Sequence, residues 1–380
     1  MRHTTRRFWT TAGAVALSLA ALVPVVAQRG GPGGGGGGTK PTVDHKARQP
    51  RPIALGVSGG NATDSANGFC CSGTLGALVE NLQGQFILSN SHVFAHDIEG
   101  GDVAQEGDPI NQSGLVDVAC ENRPGDHVAT LSTLSSINRG AMSAVDAALA
   151  AVVDGEVRTD GAILEIGQIS STPATAFLSQ RVKKSGRTTG LTTSRVEGLN
   201  ATISVGYTAE CGGPEYTTTY TGQIIVSNRG QKFIAGGDSG SLMVEDAGNN
   251  PRAVGLLFAG SSSIAVANPI DDVLNYFGVT LVGQPGAGGA DVADAATQQA
   301  AVHAVAAQER NAARLVSVPG AIGHAVGFGP NGVAIKVYVA EMSDRARQAI
   351  PNQIEGVPVV LEAVGPIRAI GSMGGACVKR

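Results

Sequence analysis

The chain has 380 residues, of which 15% are charged, and a formal net charge of -4. That length allows two or three domains with a large core, and the sparse, slightly acidic charge lacks the basic stripe that nucleic-acid binding needs, which excludes that partner. Glycine is abundant at 54 residues, aromatics make up only 4%, and Val, Ile, Thr and Ser recur in short runs, a composition that favours many short strands over long helices.

In chain order, Arg2, Arg6 and Arg7 precede an apolar run from Ala12 to Val26 and a small-residue exit at Ala27. Residues 1–27 therefore read as an export signal. About 15 apolar residues interrupted by Pro24 fall short of the ~20 that span a bilayer. No stable membrane anchor is expected after signal removal, and the mature chain is expected to be periplasmic or secreted. Arg6-Arg7 before Phe8 suggests the twin-arginine route. Residues 28–50 carry the glycine run Gly33 to Gly38 and are expected to form a flexible tether.

Between residues 51 and 282, short apolar runs (Leu75 to Val79, Phe86 to Leu88, Ala147 to Val153, Gln223 to Val226, Ala253 to Phe258) alternate with Gly, Asn, Asp and Ser clusters. This punctuation predicts a sandwich or barrel. A glycine-rich break from Gly283 to Gly289 is followed by Asp291 to Leu315, which holds no Gly or Pro and reads as one spacer helix within a 283–316 linker. Ile322 to Phe328 and Val333 to Val339 flank Asn331-Gly332, a strong hairpin signal. With a short helix near Ser343 to Ala349 and the run Val357 to Val364, residues 317–380 are expected to form a small α+β domain.

Five cysteines in an exported chain predict at least one disulfide with one thiol left over. Cys120 and Cys211, both in polar loops, are the expected pair. Adjacent Cys70 and Cys71 are not expected to bond to each other and could pack as small hydrophobes. No CxxC pair points to zinc. His92 and His96 have helical spacing, with Asp97 and Glu99 following, but the glutamate that zincins place after the first histidine is missing. Neither a metal nor any other cofactor is expected.

The most informative segment is Ala235-Gly236-Gly237-Asp238-Ser239-Gly240-Ser241, just ahead of the apolar run Leu242 to Val244. A serine flanked by glycines can present its hydroxyl on a tight turn, with the N–H groups of Gly237 and Ser239 aimed at one spot as an oxyanion hole. Serine at its ordinary acidity is a poor nucleophile and needs a base, and the base needs an orienting group. His92 stands just past the apolar run Phe86-Ile87-Leu88, and Asp146 stands at the mouth of Ala147 to Ala150.

The order His92, Asp146, Ser239 resembles that of the chymotrypsin family, over about residues 52–282. Lys184-Ser185-Gly186-Arg187-Thr188-Thr189-Gly190 is similar to a segment of bacterial secreted members, and Val254 to Gly260 resembles the strand that pairs with substrate backbone. Val93 stands where the commonest animal members have a cysteine. The resemblance implies a mainly β, chymotrypsin-like double antiparallel barrel followed by the linker helix and the α+β domain. His92 and Asp146 would come from the first barrel and Ser239 from the second.

It further implies a serine endopeptidase acting on protein or peptide substrates, with Phe233 near the floor of the specificity pocket and Phe258, Ala259 and Gly260 along its wall and substrate strand. With no carboxylate at that floor, an apolar or small residue is expected before the scissile bond. An internal cation, Lys184 first and Arg187 second, is expected to neutralise Asp238. The other class of function is a non-catalytic binding or adhesive protein on the same scaffold. Oligomeric state is not legible.

Overall fold

A computed structural model describes residues 43–95, 104–286 and 291–369. Eight strands build the first sheet: β1 (Val57–Asn61), β2 (Gly73–Leu75), β3 (Ala77–Asn81), β4 (Gly84–Ser89), β5 (Pro109–Asn111), β6 (His127–Leu134), β7 (Ala148–Val152) and the short strand Thr280–Leu281 on the outer edge of β3. β1 pairs with β2 and β5, and the path continues through β6, β7 and β4 to β3, all antiparallel. Only Gly76 separates β2 from β3, so the sheet curls back toward its start, and the outer edge of β3 is covered by Thr280–Leu281. Val57, Leu75, Leu78, Ile87, Leu88, Ile110, Val128 and Leu149 belong to one buried apolar cluster, with adjacent Ile87 and Leu88 burying both faces of β4. The short apolar runs of the sequence are these inward-facing strand segments.

The second barrel comprises β8 (Arg181–Gly186), β9 (Gly190–Thr208), β10 (Glu215–Ser227), β11 (Leu242–Glu245), β12 (Ala253–Gly260) and β13 (Ile264–Pro269). Its order is β9-β8-β11-β12-β13-β10, and a further β9–β10 pairing closes the ring. The mainly β double-barrel architecture is thus present, and closure removes the exposed edges that open sheets must otherwise protect. The barrels meet at bare backbone. A Cβ on Gly76 would lie 2.0 Å from the Gly240 carbonyl oxygen, and one on Gly240, at φ +89°, would lie 2.2 Å from that of Thr74.

The C-terminal elements are continuous with the second sheet. β14 (Ala321–Gly329) pairs with β9 through Leu199↔Val326 and Thr202↔His324. β14 forms the expected hairpin with β15 (Gly332–Val339), and β16 (Val357–Ala363) lies parallel to β15. The stretch expected as one helix is two, Ala295–Arg310 and Ala312–Val316. Asn311 breaks it: its side-chain amide donates to the Ala307 carbonyl at 2.9 Å and to Glu355 at 2.9 Å, a local bond that competes with helix continuation. The short helix expected near Ser343 to Ala349 is Asp344–Ala349, capped by Ser343, which accepts from the Ala346 N–H at 3.1 Å. No described helix is long and apolar enough to cross a membrane.

Two expectations are corrected. Residues 43–50, expected within the flexible tether, pack onto the first barrel, because His45 is buried between the Gly56 carbonyl (2.8 Å from Nδ1) and Glu165 (2.7 Å from Nε2). Cys120 and Cys211 do not bond to each other, and Cys70 and Cys71 are not free. The disulfides are Cys70–Cys120 and Cys71–Cys211. Neighbouring side chains of an extended segment point to opposite sides, so adjacent cysteines reach two different partners. Cys377 and His96 lie outside the described residues.

Asp64 sits beside the second disulfide, within 4.8 Å of sulfurs that are committed to each other and so are not thiolate ligands. Its Oδ1 has no hydrogen-bond partner among the described residues, and burial raises its carboxyl from 3.8 to about 8. Between those values the folded chain holds a proton that the unfolded chain has released, so this group lowers stability as pH rises from 4 to 8. Asp64→Asn removes the titration. The variant is expected to gain at least about 2 °C in Tm relative to wild type at pH 8, with a smaller gain at pH 4. An equal gain at both values, read by thermal melts, would contradict the assignment.

Candidate active site

His92 lies on the single helical turn Ser91–Phe94 that follows β4. That turn is pinned from below: Ser91 Oγ lies 2.8 and 2.7 Å from the Ser135 and Ala147 carbonyls, able to donate its one proton to either, and Asn90 Nδ2 donates to the Asp146 carbonyl at 2.7 Å. Asp146, fully buried just before β7, receives the His92 Nδ1–H on Oδ2 at 2.5 Å and the His92 main-chain N–H on Oδ1 at 3.3 Å. This fixes the imidazole in the tautomer whose Nε2 can accept a proton. Nε2 is buried with no hydrogen-bond partner among the described residues.

The second barrel holds Asp146 from the far side. Tyr207 on β9 donates its hydroxyl to Asp146 Oδ2 at 3.0 Å and lies 2.9 Å from the Tyr220 hydroxyl, while its ring meets that of His92 edge-on at 5.8 Å. Burial first, and the Asp146 charge second, raise the Tyr207 phenol well above its usual range, so it stays protonated as a donor. Asn268 on β13 brackets the Asp146 backbone, accepting from its N–H at 3.2 Å and donating to its carbonyl at 3.1 Å. Tyr207→Phe removes one donor from a buried carboxylate, a bond of about 1.5–3 kcal/mol. If the site hydrolyses peptides, this variant is expected to lose at least about tenfold in kcat/KM, since 1.4 kcal/mol is a factor of ten. A rate equal to wild type would show that the hydroxyl does not position the acid.

Ser239 is fully buried on the turn between the second barrel's strands. Its hydroxyl donates to the Phe258 carbonyl at 3.0 Å, and its own carbonyl accepts from the Thr74 N–H at 2.8 Å. The turn and the histidine share neighbours: a Cβ on Gly73 would meet Val93 at 2.5 Å and the Ser239 carbonyl at 3.0 Å, and one on Gly240 would meet Ser89 Oγ at 2.3 Å. Thr188 Oγ1 donates to the Gly236 carbonyl at 2.6 Å, and Ser241 Oγ donates to the Asp238 carbonyl at 2.6 Å. In a trans peptide the N–H opposes the C=O, so the N–H groups of Gly237 and Ser239 turn away from those anchors. Neither has a hydrogen-bond partner among the described residues. Gly237 needs its positive φ of +96° here, and a Cβ would meet Arg187 and Thr188 at 2.5 and 2.6 Å.

Asp238 points inward. Its carboxylate accepts from the N–H groups of Thr188 (2.8 Å), Thr189 (3.2 Å) and Ala235 (2.9 Å) and from Thr189 Oγ1 (2.7 Å), with Lys184 Nζ at 3.4 Å. Burial lowers the Lys184 ammonium below its usual range, and the Asp238 charge opposes that shift. The structure therefore brings Lys184 to Asp238 but not Arg187, whose guanidinium forks onto Asp117 at 2.7 and 2.6 Å. The reason is geometric: the buried Arg187 side chain passes beside Gly237, and a carboxylate with planar bidentate access lies on that side.

Phe233 is fully buried in the second barrel's core with Val196, Ile234, Met243 and Leu257. Phe258 packs on Tyr220 at 4.8 Å between ring centroids, and Gly260 leaves room for Ile234, 2.6 Å from where a Cβ would be. Tyr207, Tyr220 and Asn268 escape sequence reading, since they occupy ordinary inward strand positions with no local motif. The only signal is that Tyr207 continues the buried alternation of Ile203 and Val205 with a polar tip, which needs a partner when buried.

The family model for the Nal1 C-terminal domain matches residues 136–267, a stretch that holds Asp146 and Ser239 but not His92. Among solved structures, the chain is similar to a glutamic acid specific serine protease that uses a histidine triad in substrate binding. That match has 19% identity, covers 60% of this chain and 100% of the other, and has a TM-score of 0.40. It is also similar to Thermobifida fusca Protease A (18% identity, 56% and 92% covered, TM-score 0.37) and to Cellulomonas bogoriensis chymotrypsin (18%, 56% and 91%, 0.36). No curated protein matches.

Proposed function

We propose that the chain is an exported serine endopeptidase that cleaves proteins or peptides through Ser239, His92 and Asp146. The observation that carries this reading is the buried His92–Asp146 bond of 2.5 Å on one barrel, beside a glycine-flanked serine turn on the other. In the proposed reaction a turn about the Ser239 Cα–Cβ bond brings the hydroxyl from the Phe258 carbonyl to His92 Nε2, a change between ordinary rotamers. Such bonds are commonly loose without substrate. His92 takes the proton as Ser239 attacks the substrate carbonyl, then delivers it to the leaving amine, while Asp146 stabilises the imidazolium. The free N–H groups of Gly237 and Ser239 receive the oxyanion. Side chains and water suffice for this chemistry.

Two disulfides suit an oxidising compartment outside the cytosol, in keeping with residues 1–27 as an export signal. The same Ser239–Phe258 bond also favours the second reading, a non-catalytic binding protein. A serine-directed phosphonate separates the two. Wild type is expected to label covalently and Ser239→Ala not at all, and a folded wild type that resists labelling would favour binding.

A further inference from the structure

The edge of β12 that leads to Ser239 is occupied by the chain itself. On one side β12 pairs with β13 through Ala259↔Val266 and Gly260↔Ala265. On the other, β11 begins at Leu242, opposite Leu256, and the Ser239 turn takes the next positions: the Gly240 N–H donates to the Leu257 carbonyl at 2.9 Å and Ser239 Oγ to that of Phe258 at 3.0 Å. Ala259 and Gly260 come next on that side. There Arg368–Ala369 forms a short antiparallel strand, with Ala259↔Ala369 and Gly260↔Arg368 in register. This strand also meets β9, where the Gly206 N–H donates to the Ile367 carbonyl at 2.9 Å.

Val364, Ile367 and Ala369, none more than 4% exposed, belong to the apolar cluster that contains Tyr207, Tyr216, Tyr220 and Phe258, while Arg368 meets Glu215. Only Gly365 and Pro366 separate Ile367 from Val364, whose N–H donates to the Val339 carbonyl on β15 at 3.0 Å. The C-terminal hairpin thus lays a short arm across to the candidate active site. An extended segment added to a sheet edge, with alternate side chains in pockets, is how such edges hold peptide ligands.

We propose that the arm Ile367–Ala369 is an intramolecular competitor of peptide substrates. This rests on the peptidase reading and adds regulation to that same site. A peptide that brings a carbonyl to Ser239 along β12 has one side of Ala259–Gly260 to pair with, since β13 holds the other. The arm fills that side, so a substrate enters only by displacing it. Tethered close to Val364, the arm has an effective concentration on the order of millimolar. A substrate's apparent affinity then falls by the fraction of molecules whose edge is free. The loss belongs to KM and not to kcat, because the chemistry at Ser239 is the same once the arm has left.

Hydrogen exchange on the wild-type chain tests this. A tripeptidyl phosphonate bonds to Ser239 and fills the edge, so the amides of Ile367–Ala369 are expected to exchange at least about tenfold faster than in protein labelled with a small phosphonate that carries no peptide. Equal exchange in the two labelled proteins would overturn the inference. Kinetics give a second reading. Arg368→Pro removes a strand N–H, and Ile367→Ser weakens the apolar grip without placing a charge near Asp146. Each folded variant is expected to lower KM for a long peptide at least about fivefold, with kcat within about twofold of wild type. A single-residue ester, too short to reach Gly260, should be hydrolysed as by wild type. A fall in kcat with KM unmoved would show that the arm only supports Tyr207, and the inference alone would fall. If the small phosphonate labels neither wild type nor Arg368→Pro, the peptidase reading falls and takes the inference with it.

Discussion

Ser239→Ala is expected to lower peptide hydrolysis by about 10⁶ in kcat, the scale seen when a triad nucleophile is removed. The hydroxyl is the only group on the turn between Gly236 and Gly240 able to attack a carbonyl with His92 as base. The fold should survive the change. The turn is fixed by bonds that do not involve Oγ: the Ser239 carbonyl to Thr74, Gly240 N–H to Leu257, and Ser241 to Asp238. The lost bond leaves the buried Phe258 carbonyl short of one donor, which costs about 1 kcal/mol. Rates on the best peptide from a library profile, together with thermal melts, check both halves. A variant with its Tm nearly intact and more than about a hundredth of the wild-type rate would remove Ser239 from the mechanism.

Lys184→Met is expected to have the largest effect on stability, about 3–5 kcal/mol, because it strips a fully buried carboxylate of its countercharge. Asp238 and Lys184 are both inaccessible to solvent, so water cannot replace the ammonium. Four hydrogen bonds to Asp238 remain, but they come from neutral donors. The same carboxylate anchors the segment between Ala235 and Ser239, so activity should fall with stability. Lys184→Met combined with Asp238→Asn neutralises the site and is expected to recover much of the loss in denaturant melts. A double variant no more stable than Lys184→Met would show that charge compensation is not what the lysine supplies.

The parts of this architecture written in local patterns were legible. Short apolar runs between glycine and asparagine clusters mark the barrel strands, Asn331-Gly332 marks a hairpin, and the glycines around Ser239 mark a tight turn. His92 and Asp146 were visible because each abuts an apolar run that becomes a core strand. What escaped depends on distant parts of the chain. Spacing says nothing about which loop Cys70 or Cys71 will reach, and although Lys184 ranks ahead of Arg187 as the partner of Asp238, only the folded barrel shows that Arg187 goes to Asp117 instead. Tyr207 and Asn268 look like any strand residue until the second barrel lies against Asp146. The tail at Arg368–Ala369 was invisible for the same reason, since two residues joining a sheet carry no pattern.

The glycine contact between the barrels sets how freely the protein can change. Where Gly76 abuts the Gly240 carbonyl and Gly240 abuts that of Thr74, main-chain atoms set the closest approach of the two halves. Side chains deep within either half can therefore be exchanged, volume for volume, without moving the serine relative to the histidine. Sequence drift is open across both interiors and shut at these two positions, where even a methyl group would wedge the halves apart.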